Sequence, residues 1–440
     1  MSSVSVTPFF TLTDGRTGLA FAGQGDRYRK NLAAIRLLRQ LQRDARTPQE
    51  LTDAERFTLA HYTAFGDSAL LRRAFGNEAS DLDGLVSADE VATIKRTSLT
   101  AFYTSTDVLQ AKWAALTPIL EQLPGTITML EPSVGIGNYI ASMPLSLRAR
   151  AQITAVELDR VSSQIATYLH PDMQLFAGQG FEEIDLPENA YDLVISNVPF
   201  GNDKVFDPRM PHDYLTRTIH DYFIARALLL VRPGGLIAVI TSYGTLDKRD
   251  SRVRAWIAER AELISAVRLP QGAFNNNAGT ACGADLLIFR RYADDIPPRP
   301  NPAWVETALA VVPIIDDDGG HYTNNSILSS GEFEERVDGT ALLRMGRVFA
   351  DQPAQVLGTT RVVRDGTRHF SHVAMPTDDT IGAALAQRLA NLPQDLIAPR
   401  VEQQVPAARD AAAPRPEPSA CGRAAGDLRC GQTSYPSGRA

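Results

Sequence analysis

Four consecutive residues, Asn197-Val198-Pro199-Phe200, carry the groups needed to hold a planar amine. They end the apolar run that contains Val194 and Ile195. Asn197 offers a side-chain carbonyl. Val198 offers a backbone carbonyl, kept extended because proline restricts the residue before it. Phe200 offers a ring on which another ring can stack. An amine attached to an aromatic ring, as on adenine, is a poor nucleophile because its lone pair is delocalised. Two acceptors aimed at its hydrogens draw the nitrogen toward tetrahedral geometry. They also stabilise the positive charge that grows as a methyl group arrives.

A second group of residues lies upstream. Glu131-Pro132-Ser133-Val134-Gly135-Ile136-Gly137-Asn138 follows the short apolar run "TITML". Glycines in such a turn let the backbone approach a ligand closely. Glu157 ends the next apolar run, 20 residues after Gly137, the spacing at which an acid holds ribose hydroxyls in nucleotide folds. No Gly-Lys-Ser/Thr loop is present, and the third glycine of a pyrophosphate-binding turn is missing. Glu131 would repel a pyrophosphate and attract a cation. S-adenosylmethionine, with a sulfonium and an ammonium and no phosphate, fits that charge.

The elements that must position these residues alternate from about residue 126. Strands are expected in "TITMLEP", "ITAVELD", "YDLVISN", "LIAVIT", "LISAVRLP" and "ADLLIFRR", and helices in "VSSQIATYL", "IHDYFIARALLLV" and "SRVRAWIAERAE". Such alternation predicts a Rossmann-like parallel sheet covered by helices, with the last two strands as an antiparallel hairpin at its edge. Upstream, residues 26–46 and 51–75 read as helices, the second with Thr52 and Glu55 as a capping box. Arg27, Arg29, Arg36, Arg39 and Arg43 are spread over the polar surface of the first, which suits either a solvated face or a phosphate backbone. The organisation expected is a helical region over 1–95, a catalytic domain over 96–292, a small α/β region over 293–400 and a disordered tail over 401–440, rich in Ala, Pro, Gly and Arg.

"EPSVGIG" together with "SNVPFG" resembles the amino-group DNA methyltransferases, whose usual motif is Asn/Asp-Pro-Pro-Tyr/Phe. Val198 departs from that motif but keeps the carbonyl. "LTAFYTSTDVLQAKWAAL", "HDYFIARALLLVRPGGLIAVITSYGTLDK", "RLPQGAFNNNAGT" and "GLAFAGQGDRYRKNLAAIRLL" are similar to the methylase region of large methylase-helicase proteins of phages, plasmids and mobile elements. The resemblance covers residues 10–292. It implies a class I S-adenosylmethionine-dependent fold and methylation of adenine N6 on a flipped base. It places Tyr103 and Thr104 at the methionine end of the cofactor, and one of Gln179, Phe181 and Glu182 at its adenine. It implies DNA as partner, with a separate helicase or recognition subunit, since no helicase loop and no recognition domain of normal size follow. Asn-Pro-Pro-Tyr motifs also serve protein glutamine and RNA methylation. A non-catalytic DNA-binding remnant is a further alternative.

Composition bounds these readings. The net charge of −7 argues against a simple basic nucleic-acid coat, though not against a local groove. Cys282, Cys421 and Cys430 lack metal-ligand spacing. No stretch is apolar enough to span a bilayer, and the N-terminus lacks signal-peptide order, so a cytoplasmic, nucleoid-associated location is expected. Tyr222 and Phe223 read as core. Asp221 reads as either a support for the catalytic loop or a solvated helix-start acid. Lys204, Arg209, Arg217, Lys248 and Arg249 are candidates for phosphate contact at the rim, and Asn275, Asn276 and Asn277 for the target pocket or a turn.

Overall fold

The computed structural model describes residues 9–12, 19, 21–66, 68–76, 81–98, 104–274, 283–293, 296–300, 302–316, 327–328, 331–374 and 381–398. Tyr103, Asn275, Asn276, Asn277, all three cysteines and the segment 401–440 lie outside these residues.

Seven strands form the central sheet: β1 (Ile127–Glu131), β2 (Ala151–Glu157), β3 (Gln174–Ala177), β4 (Tyr191–Asn197), β5 (Val231–Ser242), β6 (Ala261–Leu269) and β7 (Ala284–Arg291). Their order is β3-β2-β1-β4-β5-β7-β6. The first five are parallel, and β7 runs antiparallel between β5 and β6. The expected hairpin is therefore present, with its second strand inserted next to β5. The order reverses at β1 and β4, so Glu131 and Asn197 end neighbouring strands beside the switch point, where ligands bind in open sheets.

Strand β4 is buried along its length until Asn197, which suits a near-continuous apolar run in a parallel sheet. Two elements differ from expectation. The short strand β3 is half-exposed and gives no apolar run to read. Strand β5 begins at Val231, before the Arg-Pro-Gly-Gly turn, with Gly234 at φ +73° and a register shift opposite Tyr191 and Leu193.

The N-terminal helices Gln24–Arg43, Asp53–Ala60, Ser68–Phe75 and Ala88–Thr97 share a second core with the helix Arg160–Leu169 and the turn residue Ile136. Residues 51–75 make two helices rather than one, because the buried amide of Asn31 holds the intervening chain. Its Nδ2 donates to Ala64 O at 2.5 Å, and its Oδ1 accepts from Thr63 N at 2.8 Å. The Thr52–Glu55 capping box forms as read. The expected polar surface of the first helix is corrected at two positions. Arg27 is buried, and Arg39 reaches across to Glu90 (2.7 Å), Gln164 (2.8 Å) and Leu85 O (2.6 Å), so it joins the helices rather than facing a ligand.

A second sheet of five strands has the order β12-β11-β8-β10-β9: β8 (Thr307–Asp316), β9 (Phe333–Glu335), β10 (Thr340–Gly346), β11 (Thr359–Asp365) and β12 (Arg368–Ala374). The chain then returns to the first sheet. Helix Ile381–Leu389 packs on helix Thr106–Leu120, and Ala398 N donates to Gly234 O at 3.1 Å. Arg268 ties the two sheets together. Its fully buried guanidinium lies between the rings of Tyr243 and Phe349, bonded to Asp285 (2.9 Å) and Asp247 (2.7 Å). Asp247 also accepts from Gly346 N at 2.7 Å. No helix among the described residues is long and apolar enough to cross a membrane.

Removing one member of a buried pair leaves the other charge uncompensated. Asp285→Ala is expected to lower the unfolding free energy by about 3–5 kcal/mol, measured by denaturant titration.

Candidate active site

The carboxyl ends of β1, β2 and β4 open into a cleft of about 560 Å³. Its walls include Thr104, Glu131, Pro132, Asn138, Glu157, Asn197 and Pro199 from the residues singled out in the sequence. Gln179, Phe181 and Glu182, the candidates for the cofactor adenine, line it too.

Two hydroxyls couple the glycine turn to the Asn-Val-Pro-Phe motif. Ser133 Oγ donates to Asn197 O at 3.0 Å and lies 2.8 Å from Ser196 Oγ. Val198 N donates to Ile240 O at 3.0 Å, which continues the β4–β5 ladder into the motif. The Val198 side chain and the Phe200 ring are buried, and Phe200 meets Phe274 edge-on, with ring centroids 6.3 Å apart. This corrects the expectation for Phe200. Its ring is only 2% exposed and anchors the loop, so it offers no face for stacking.

The turn itself is built by its glycines. Gly137 has φ +92°, and a Cβ there would fall 2.2 Å from His170 Cδ2. Gly135 N donates to Glu157 Oε2 at 2.7 Å, and Asp159 N donates to Glu157 Oε1 at 2.7 Å. With Leu158 as a third backbone donor, the Glu157 carboxylate keeps one acceptor site for a further donor. Burial pushes the Glu157 carboxyl up to about 7; neighbouring Asp159 adds to the shift and backbone N–H bonds oppose it.

Glu131 is 2% exposed, and its Oε2 is buried with no hydrogen-bond partner among the described residues. Burial raises its pKa well above the ordinary range, and the charge of Lys112 opposes the rise. Lys112 is completely buried. Its Nζ donates to Ala238 O at 2.7 Å and to Tyr139 Oη at 3.2 Å. Burial lowers its pKa well below the usual lysine range, against the pull of Glu131. Tyr139 in turn bonds the Thr104 side chain. Lys112 and Tyr139 were not found from the sequence. Lys112 sits in an amphipathic helix where a lysine reads as surface, and only burial marks it.

Of the residues expected at the cofactor adenine, Phe181 is buried against Phe223 with centroids 5.1 Å apart, and Glu182 is paired with Arg96 at 2.9 Å. Tyr222 and Phe223 are core residues, as read. Asp221 is buried and ion-paired to Lys248, which corrects the solvated alternative and removes Lys248 from the unpaired cations of the rim. Arg209 is likewise structural, paired with Asp207 at 2.7 Å. Among the described residues, no cluster of His, Cys, Asp and Glu could hold a metal ion.

A buried carboxylate oxygen awaiting a cation or donor, a second carboxylate at ribose spacing and a glycine turn that no Cβ could enter suit S-adenosylmethionine. The sheet order, with its antiparallel β7 between β5 and β6, is that of the class I S-adenosylmethionine-dependent methyltransferases, and S-adenosylmethionine is the cofactor of this class.

The chain is 27% identical over 298 residues to the defense against restriction protein B of Escherichia phage P1, covering 61% of this chain and 13% of the phage protein. It is 26% identical over 108 residues to the type I restriction enzyme EcoEI methylase subunit of Escherichia coli, covering 24% of this chain and 22% of that subunit. The chain thus spans a small part of the length of each. Among solved structures, the methyltransferase subunit of a type I restriction-modification system from Streptococcus thermophilus aligns at 13% identity and a TM-score of 0.38, over 72% of this chain and 84% of that one. No protein-family model matches the sequence.

Two outcomes follow for the cradle. Gly137→Ala is expected to cost about 2 kcal/mol or more of unfolding free energy, from a left-handed backbone and a clash with His170. A ribose held as the 20-residue spacing predicts would donate its hydroxyls to the ionised form of Glu157, whose folded pKa is raised. Cofactor affinity is therefore full above about pH 7 and falls as pH drops below it. Calorimetry of S-adenosylmethionine between pH 6 and 8 should show that loss in the native chain and a weaker, flatter profile in Glu157→Gln.

Proposed function

We propose that this chain is a methyltransferase that transfers the methyl of S-adenosylmethionine to the exocyclic N6 amine of adenine in DNA. The observation that carries the reading is the presence of Asn197 and Pro199 on the wall of the same cleft that Glu131 and Glu157 line. The cofactor's contribution is an electrophilic methyl on a sulfonium. Glu131 faces the cationic end with its unpartnered oxygen, and Glu157 accepts from the ribose. Tyr103 and Thr104 belong to the methionine end, Thr104 through its bond to Tyr139.

The target amine donates to the Asn197 side-chain carbonyl and to the Val198 carbonyl. The backbone that carries both acceptors is fixed before substrate arrives. Ser133 holds the Asn197 backbone, the β5 ladder holds Val198, and Phe200 locks the loop into the core. Positioning of this kind supplies much of the acceleration, because no acceptor has to reorganise as charge develops. No strong general base is needed, since the amine loses its proton only after it has become cationic.

The restriction-evading phage relative and the type I methylase subunit support DNA over RNA or protein as the acceptor. That the type I relative is a methylase subunit supports a partner that supplies sequence recognition.

The test is transfer of labelled methyl from S-adenosylmethionine to duplex and single-stranded DNA, followed by digestion to nucleosides. Label in N6-methyldeoxyadenosine is expected. Label confined to RNA or to protein glutamine would replace the substrate class. Asn197→Ala should bind the cofactor as the native chain does and lose at least about a hundredfold in transfer rate, the scale of losing one oriented acceptor. Unchanged turnover in that variant would exclude the Asn-Val-Pro-Phe grip.

A further inference from the structure

We propose that Phe206 is a stacking platform for a nucleobase at the mouth of the cleft, with Lys204 beside it to meet the adjoining phosphate. The inference rests on reading the cleft as a nucleic-acid site, and it assigns a contact that the Asn-Val-Pro-Phe motif does not provide.

Phe206 is 83% exposed, yet it lines the same cleft as Asn197 and Pro199. A large apolar ring standing in water beside a binding site calls for a ligand, provided that it is held there rather than carried on a loose loop. It is held. Its neighbours Val205 and Asp207 are both buried. Val205 N donates to Thr216 O at 2.9 Å. Asp207 accepts from Arg209 Nε at 2.7 Å and from Tyr222 Oη at 2.8 Å, and Arg226 lies 3.6 Å away. The chain could turn Phe206 inward only by breaking this frame.

The alternation of exposed and buried residues from Lys204 to Pro208 sets Lys204 and Phe206 on one side. Both line the cleft, and Lys204 makes no ion pair among the described residues. An exposed ring next to an uncommitted cation is the pairing that single-stranded nucleic acid uses, with a base on the ring and a phosphate on the charge. The buried position of Phe200 adds to this, since of the two rings that follow Asn197 it is that of residue 206 that stands exposed at the cleft. A base lifted from its stack, or the neighbour that it leaves behind, loses a stacking partner that this ring can replace.

Phe206→Trp in the full chain makes the contact visible. The native tryptophans Trp113 and Trp256 are buried and Trp304 is partly so, so quenching by added strands reports residue 206. The probes are a mixed-sequence single strand, its duplex and an abasic strand of the same length, with binding followed separately by anisotropy. Strands that carry bases are expected to quench the new tryptophan, and the abasic strand to leave it nearly unchanged. In steady state, Phe206→Ala should raise KM for DNA about tenfold with a much smaller change in kcat, and Phe206→Tyr should recover most of the affinity. Equal quenching by the abasic strand overturns the proposal. So does bound DNA without quenching, the result expected of a ring that serves a protein partner, and so does failure to bind any strand. A chain that methylates no DNA would remove the function proposed above. Base-dependent quenching in that same chain would still establish the stacking contact.

Discussion

Two carboxylates, Glu131 and Glu157, are buried side by side at the ends of adjacent parallel strands, and much of the cleft is arranged around the cost of placing them there. An isolated buried carboxylate is expensive unless it is paired or hydrogen-bonded. Glu157 meets that cost with backbone N–H groups from the glycine turn and from the start of the next helix. Glu131 does so only in part, through the charge of buried Lys112. The unmet remainder is what a cationic ligand can satisfy. Lys112 is held by the β5 backbone and by Tyr139, so the charge balance of the cleft is built into the core packing rather than added at its surface.

The same economy of coupling links the glycine turn to the end of β4. Ser133 belongs to the glycine turn and Ser196 to the end of β4, and their hydroxyls meet beneath the Asn197 carbonyl. A shift in either segment disturbs the other, so the glycine turn and the Asn-Val-Pro-Phe loop are coupled. Farther out, the loop after the motif is pinned through Asp207, Arg209 and Tyr222. The N-terminal helices rest on the helix that follows Glu157. The second sheet reaches the rest of the core through Arg268, whose buried charge is shared between Asp285 on β7 and Asp247 just after β5, and Asp247 in turn accepts from Gly346 N at the end of β10. A monodentate or unpaired guanidinium there would be costly, which gives the contact between the sheets a defined geometry.

Much of this was legible in the residues alone. Period and glycine punctuation identified six of the seven central strands and the antiparallel pair at the end, because buried parallel strands are continuous apolar runs. The positions of Glu131, Glu157 and Asn197 at strand ends followed from the same reading. The strand β3 was not legible, since a short, half-exposed edge strand has no apolar signature. Arg27, Arg39, Arg209 and Lys248 read as rim or surface cations. They are structural, because a pattern of charges does not say which of them find acidic or carbonyl partners far away in the chain.

The sequence by itself determined the features from which a site can be read: Asn-Val-Pro-Phe after a parallel strand, a glycine turn with an acid before it, and an acid 20 residues beyond that turn. These are local features, set by residue type and by the two-residue repeat of strands. Which groups face the cleft was decided only by the tertiary structure. Folding turned the ring of Phe200 into the core, where Phe274 and the β5 ladder could bury it, and left the ring of Phe206 in water on a braced loop. It also sank Lys112 beside Glu131. No pattern along the chain encodes those choices, because each depends on partners that lie tens of residues away and meet only when the sheet closes.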